Sequence, residues 1–307
     1  MGKKKIVLIG ASNSMLFNGL RAGLNQDNVE LMNLSLGGAS TLHILYEFLR
    51  FRNESIVIAA DLIILESNIV DIDHIIDLPD FKNLILRNIF LTYNELSKLN
   101  KKFLVLLLPY IKNDFKKNET INNAHRMCCN QYGFNCVDVQ SVYLKNNVMD
   151  FYMTMMPDKA HQLQRIMYEF GKNIANENFS LFKFSLPSSI DLDFKICSPK
   201  NDLQINEKIL NLKKNMFYKE YCFRVHKDIT ISLSRKNQNY KIIASHSWTD
   251  NGKKNPFKFY SSLIFFNNAD NFIETCATPS YNAFAAIYDD FVIGDNSKIY
   301  LGNNRNI

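Results

Sequence analysis

Apolar positions in the first 178 residues come in two rhythms. Short unbroken runs at Lys5–Ile9, Val29–Leu34, Asp61–Leu65, Phe103–Leu108 and Asn135–Val139 read as strands buried on both faces, because a parallel sheet covered by helices shows little polar alternation. Between them lie longer stretches with apolar residues three and four apart, at about Met15–Leu24, Thr41–Arg52, Phe81–Leu99, Glu119–Tyr132 and His161–Asn176. These predict helices. Five β–α units in succession predict an α/β fold, a flavodoxin-like three-layer sandwich around a parallel sheet, over residues 1–178.

Beyond residue 178 the rhythm changes. Short segments at Tyr221–Val225, Thr230–Leu233, Tyr240–Ser245, Phe257–Phe266 and Ala283–Ile293 are separated by turns bearing Asn, Asp, Lys and Gly. They predict a smaller, mainly β domain over 179–307. Its first part, Asp191–Lys214, reads as a linker with a short helix near Ile205–Leu212. No fixed-period repeat or low-complexity segment interrupts either half.

At 307 residues, 47% hydrophobic and 21% charged, the chain has the composition of a globular protein with substantial cores. Its 6 cysteines form no CxxC pair, and Cys128 and Cys129 are adjacent, so reduced thiols are expected. Lys3-Lys4-Lys5 precedes only four apolar residues, Ile6 to Ile9, before Gly10, which is too short for the core of an export signal. No run approaches the roughly 18 residues that span a bilayer. A cytoplasmic protein without a transmembrane segment is the expectation, and the wealth of Asn, Lys, Ile and Phe suggests an AT-rich bacterial coding sequence.

The net charge of +6 is unevenly placed: 19 basic residues face 18 acidic ones up to position 178, and 17 face 12 beyond it. A basic C-terminal part suits an anionic substrate or cofactor, or peripheral contact with a phospholipid surface, as well as a merely solvated face. No nucleic-acid motif accompanies the charge, so nucleic acid is not an expected partner.

The chemistry gathers at the carboxyl ends of the predicted strands, where open α/β sheets keep their sites. The first strand runs into Gly10-Ala11-Ser12-Asn13-Ser14, whose polar residues serve equally as helix caps or as a nucleophile. This is not the GxSxG elbow, since Ser14 stands where its second glycine belongs. The second strand leads into Gly37-Gly38-Ala39-Ser40-Thr41 and the third into Glu66-Ser67-Asn68. Near the end of the α/β part comes Pro157-Asp158-Lys159-Ala160-His161, where a three-residue offset can place carboxylate and imidazole side by side. His43 and His74 lack partners at metal-ligand spacing, so no metal site is expected.

The order Ser12, Gly38, Asn68, then Asp158 and His161 resembles the SGNH (GDSL-like) hydrolase superfamily over roughly residues 5–176. The resemblance implies Ser12 as nucleophile, the Ser12 N–H, Gly38 and Asn68 as oxyanion donors, and Asp158 with His161 as the acid–base pair. His161 must be neutral to act as the base, so activity should fall on acidification. Three features depart from the family pattern: Ala11 replaces the usual aspartate, Glu66-Ser67-Asn68-Ile69 stands for Gly-x-Asn-Asp, and Gln162 takes the place of a common proline.

The same five residues serve hydrolysis and transfer alike. A cytoplasmic setting, an added β domain and its basic charge resemble bacterial glycan O-acetyltransferases, and imply transfer of an acetyl group from acetyl-CoA, as co-substrate, through Ser12 to a hydroxyl of sialic acid or another acidic carbohydrate or glycolipid. The alternatives are a carbohydrate acetylesterase using the same residues and a glycan-binding protein with a vestigial site. His246 and Trp248, among Tyr240, Phe259 and Tyr260, are the candidate sugar contacts of the β domain.

Overall fold

The five apolar runs pair side by side in a computed structural model that describes residues 2–77, 79–110, 115–158, 160–198, 202–204, 210–214, 218–224, 230–248, 262–268, 271–277 and 282–301. The chain divides into two compact units, Met1–Phe194 and Lys195–Ile307.

In the first unit β1 (Lys4–Gly10), β2 (Val29–Asn33), β3 (Leu62–Glu66), β4 (Phe103–Leu107) and β5 (Asn135–Asp138) form one sheet in the order β2-β1-β3-β4-β5. Every pairing is parallel, with Ile6 beside Leu62 and Gly10 beside Glu66. Ile6–Ile9, Leu62–Leu65 and all of β4 are buried, as strands covered on both faces require. Crossovers leave β1 in one direction and reach β3 in the other, so the order reverses between them and opens a crevice at their carboxyl ends.

Among the described residues ten α-helices accompany the sheet: α1 (Ser12–Met15), α2 (Leu20–Leu24), α3 (Thr41–Leu49), α4 (Glu54–Ala59), α5 (Asn68–Asp77), α6 (Lys82–Ser97), α7 (Phe115–Tyr132), α8 (Val139–Lys145), α9 (Met149–Met155) and α10 (Gln164–Asn176). The predicted helix Met15–Leu24 is instead α1 and α2, because Leu16 turns extended at ψ 130°. The predicted helix Thr41–Arg52 ends at Leu49, where Arg50 also turns extended and gives its guanidinium to the buried Glu47 at 2.9 Å.

Close backbone packing sets the position of the site. A Cβ at Gly23 on α2 would lie 2.0 Å from the Tyr168 carbonyl oxygen, and one at Gly171 on α10 would lie 2.4 Å from that of Leu20. The two glycines let α2 and α10 touch main chain to main chain. The segments after Ser12 and after His161 are thereby docked on each other.

The break between the units falls after Phe194 rather than at the expected 178. Residues 179–194 stay with the first unit through Ser185 N–H to Lys101 O (2.8 Å), Leu186 N–H to Tyr132 O (2.7 Å) and the Ser188 hydroxyl to Asn94.

The second unit is mainly β, as expected. Strands β6 (Leu203–Gln204), β9 (Thr230–Leu233), β11 (Ser262–Asn267), β12 (Phe272–Ala277) and β14 (Lys298–Leu301) form an antiparallel sheet, while β10 (Lys241–Ser247) pairs with β13 (Ala283–Val292) and β7 (Leu210–Lys214) with β8 (Lys219–Phe223). Phe266, Ile273, Ile287, Phe291 and Ile293 form its core. Of the helix expected near Ile205–Leu212, residues 205–209 lie outside the described residues and Leu210–Leu212 are strand, because they pair with Tyr221–Phe223. Residues 257–261 of the predicted strand Phe257–Phe266 also lie outside them.

Candidate active site

Ser12 begins α1 one residue after the end of β1 and its turn, half-buried at the crevice. Its Oγ lies 2.9 Å from His161 Nε2, and His161 Nδ1 lies 2.7 Å from Asp158 Oδ2. An ionised carboxylate only accepts, so Nδ1 carries the proton it donates and Nε2 is left to accept from the Ser12 hydroxyl. Asp158 Oδ1 also accepts the N–H groups of Ala160 and His161, each at 2.8 Å, closing a turn that fixes the three-residue offset. Partial burial alone would raise the Asp158 carboxyl, but the hydrogen bonds from the His161 ring and the two N–H groups outweigh it and hold it below its ordinary value.

A second set of side chains holds this loop to the Ser12 turn. Asn13 donates to Ala160 O at 3.0 Å and accepts from Gln162 N–H at 2.9 Å. Gln162 donates to Pro109 O at 2.8 Å and accepts from the Tyr152 hydroxyl at 2.7 Å. Asn13 and Gln162 are both buried. Beneath the turn, Glu66 Oε2 accepts the Ser14 hydroxyl at 2.9 Å.

The expected oxyanion donors separate into two groups. Gly38 sits exposed in the β2–α3 connection at φ +69°, a left-handed conformation that favours glycine, and no described residue accepts from its N–H or from that of Ser12. Asn68 differs from the role implied for it. Its amide donates to Leu108 O and to Asn122 Oδ1, each at 2.9 Å, while its Oδ1 accepts from Leu108 N–H at 3.1 Å. One amide hydrogen ties the end of β3 to the end of β4 and the other goes to Asn122 on α7, so none is left for an oxyanion.

His246 and Trp248 lie in the second unit. His246 Nε2 bonds Asn282 Oδ1, and its ring meets Tyr218 edge-on with centroids 5.9 Å apart. Trp248 follows β10, and its buried indole N–H has no acceptor among the described residues. Phe259 and Tyr260 fall outside the described residues. Asp71 is buried and accepts both the N–H (3.2 Å) and the hydroxyl of Thr41.

Three residues that shape the site escape motif reading: Asn13, Gln162 and Glu66. Each is a buried polar side chain within two residues of a motif residue.

No family model matches the chain, and no curated protein matches it. Among solved structures it is similar to an acetyl xylan esterase, AlAXEase, with 17% identity over 55% of this chain and 96% of that one and a TM-score of 0.44. It is similar also to LAE5, an α/β hydrolase enzyme from the metagenome of Lake Arreo, Spain (17% identity, 58% of this chain, 99% of that one, TM-score 0.45). A third is Axe2, an acetylxylan esterase from Geobacillus stearothermophilus (17% identity, 58% of this chain, 97% of that one, TM-score 0.46).

Proposed function

We propose that this chain is a serine acyl-ester enzyme of SGNH type that hydrolyses acetyl esters of carbohydrates. The observation that carries the reading is the unbroken chain of hydrogen bonds from Ser12 through His161 to Asp158. His161 takes the Ser12 proton as Oγ attacks the ester carbonyl, and Asp158 holds the ring and stabilises the imidazolium. The N–H groups of Ser12 and Gly38 meet the oxyanion. Collapse of the tetrahedral intermediate breaks the bond to the sugar oxygen, which takes the proton from His161 and departs as the hydroxyl, leaving acetyl-Ser12.

Discharge to water is favoured over transfer by the openness of the base. The His161 and Asp158 side chains are 36% and 51% exposed, and water activated by His161 returns acetate and free enzyme. The carbohydrate class follows from the resemblance in sequence.

One observation favours a second reading, transfer from acetyl-CoA to an acidic sugar: the excess of 17 basic over 12 acidic residues beyond position 178. Mass spectrometry of two parallel reactions separates them. One holds acetylated xylo-oligosaccharide, the other acetyl-CoA with a sialylated oligosaccharide, and each is run beside Ser12→Ala. Acetyl loss in the first that the variant lacks supports the esterase. Acetyl gain in the second without loss in the first overturns it in favour of the transferase.

A further inference from the structure

The triad leaves one buried acid unexplained. Glu66 ends β3 beside Gly10 of β1 and is wholly shielded from solvent. Its Oε2 accepts the Ser14 hydroxyl at 2.9 Å and the Ala11 N–H at 3.2 Å, and its carbonyl oxygen accepts the same Ala11 N–H at 2.9 Å. Gly10 makes the room, since a Cβ there would lie 2.5 Å from that carbonyl oxygen and 2.9 Å from Oε2. One side chain therefore grips the turn on both sides of Ser12.

The second carboxyl oxygen, Oε1, is buried with no described partner, so the charged form would be poorly compensated. Burial, opposed only in part by hydrogen bonds from Ser14, Ala11 and Asn13, pushes the group up to about 7. The groups of the α1 turn that face it do not titrate, and β4 on the other side of β3 is apolar throughout. Asp71 on α5 is taken up by Thr41 and lies 3.4 Å from His125, while His161 and Asp158 connect to the turn through Ser12.

We propose that Glu66 is a positioning residue that works as the neutral carboxylic acid, fixing Ala11 and Ser14 so that the Ser12 hydroxyl and N–H are aimed, and that its ionisation weakens the oxyanion site by placing negative charge beneath it. The inference rests on the acyl-enzyme reading. It implies a rate lost on the alkaline side.

The test is the pH profile of kcat/KM for phenyl acetate in the wild type, Glu66→Gln and Ser14→Ala, with infrared spectra near neutral pH and circular dichroism as the check of fold. The wild-type rate is expected to fall above about pH 7 toward a lower plateau as the acid ionises. Glu66→Gln, which keeps the acceptor and cannot ionise, is expected to lose about fivefold or less on the acid side and to show no alkaline fall. Ser14→Ala removes a hydroxyl that favours the carboxylate, so its fall moves to higher pH. A protonated-carboxyl band is expected at pH 6 and should vanish in Glu66→Gln.

A wild-type profile retained in folded Glu66→Gln, or a pH 6 spectrum without that band, overturns the role of Glu66 while Ser12 chemistry stands. If Glu66→Gln fails to fold, the Ser14→Ala profile decides, and an unshifted or lowered alkaline fall overturns the proposal. If Ser12 is unreactive at every pH in the wild type, the acyl-enzyme reading falls and the role of Glu66 falls with it.

Discussion

Asn13 and Gln162, 149 residues apart, share a buried hydrogen bond of 2.9 Å from the Gln162 N–H to the Asn13 side-chain oxygen. With the Asn13 amide donating to Ala160 O at 3.0 Å, one side chain brackets His161 on both sides. The Ser12–His161 distance of 2.9 Å is therefore set by a clasp outside the triad as well as by the triad itself.

Removing the clasp should show in turnover. Asn13→Ala is expected to lower kcat by about 10–100-fold with little change in KM, since displacements near 1 Å cost that much in a positioned base. Steady-state kinetics of the folded variant check this, and a change confined to KM would place Asn13 in substrate binding instead.

The triad should behave as one unit. Ser12→Ala and His161→Ala are each expected to lose on the order of 10⁴-fold or more in kcat/KM, and the double variant no more than either alone. Asp158→Asn, which cannot hold the required tautomer, should lose roughly 10²–10⁴-fold. Fluorophosphonate labelling, read by intact mass, should disappear in Ser12→Ala and persist in Asn68→Ala.

Asn68 and Gly38 should separate stability from oxyanion binding. Asn68→Ala strands the buried Leu108 N–H, the Leu108 carbonyl and the Asn122 oxygen, at about 1–3 kcal/mol for each group left unpaired, so its main effect is expected in denaturation midpoints. Gly38→Ala meets no atom within 4 Å but is held at φ +69°, and should cost about 1–2 kcal/mol of stability. Equilibrium denaturation beside kcat measures both, and a catalytic loss in Asn68→Ala without destabilisation would return that amide to the oxyanion site.

How far the sequence discloses this molecule depends on the range of the interactions involved. Runs such as Phe103–Leu108 announce β4 because burial on both faces is written locally, and the Asp158–His161 offset announces a pairing that one turn can make. Helix α5 carries Asp71 and Asp73 in its first two turns, and the first of them is buried by a contact with Thr41, 30 residues earlier. The clasp of Asn13 to Gln162, the diversion of Asn68 to Leu108 and the burial of Glu66 all depend on partners 40 or more residues away. Only the folded chain brings those partners together.

Two buried glutamates should tilt stability in opposite directions with pH. Burial would raise Glu47 on α3, but hydrogen bonds and charge from His43 and Arg50 outweigh it and hold it at about 2, against an ordinary 4.5. The stability it contributes is present above pH 4.5 and is lost as pH falls toward 2, on the order of 3 kcal/mol. Glu66, raised from 4.5 to about 7, favours the fold below pH 4.5, and that contribution is lost as pH rises to 7, by a similar order. Urea midpoints measured from pH 3 to 8 should therefore show a smaller acid-side decline in Glu47→Gln. In Glu66→Gln they should rise relative to wild type between pH 4.5 and 7, and a wild-type slope there would contradict burial of a neutral Glu66.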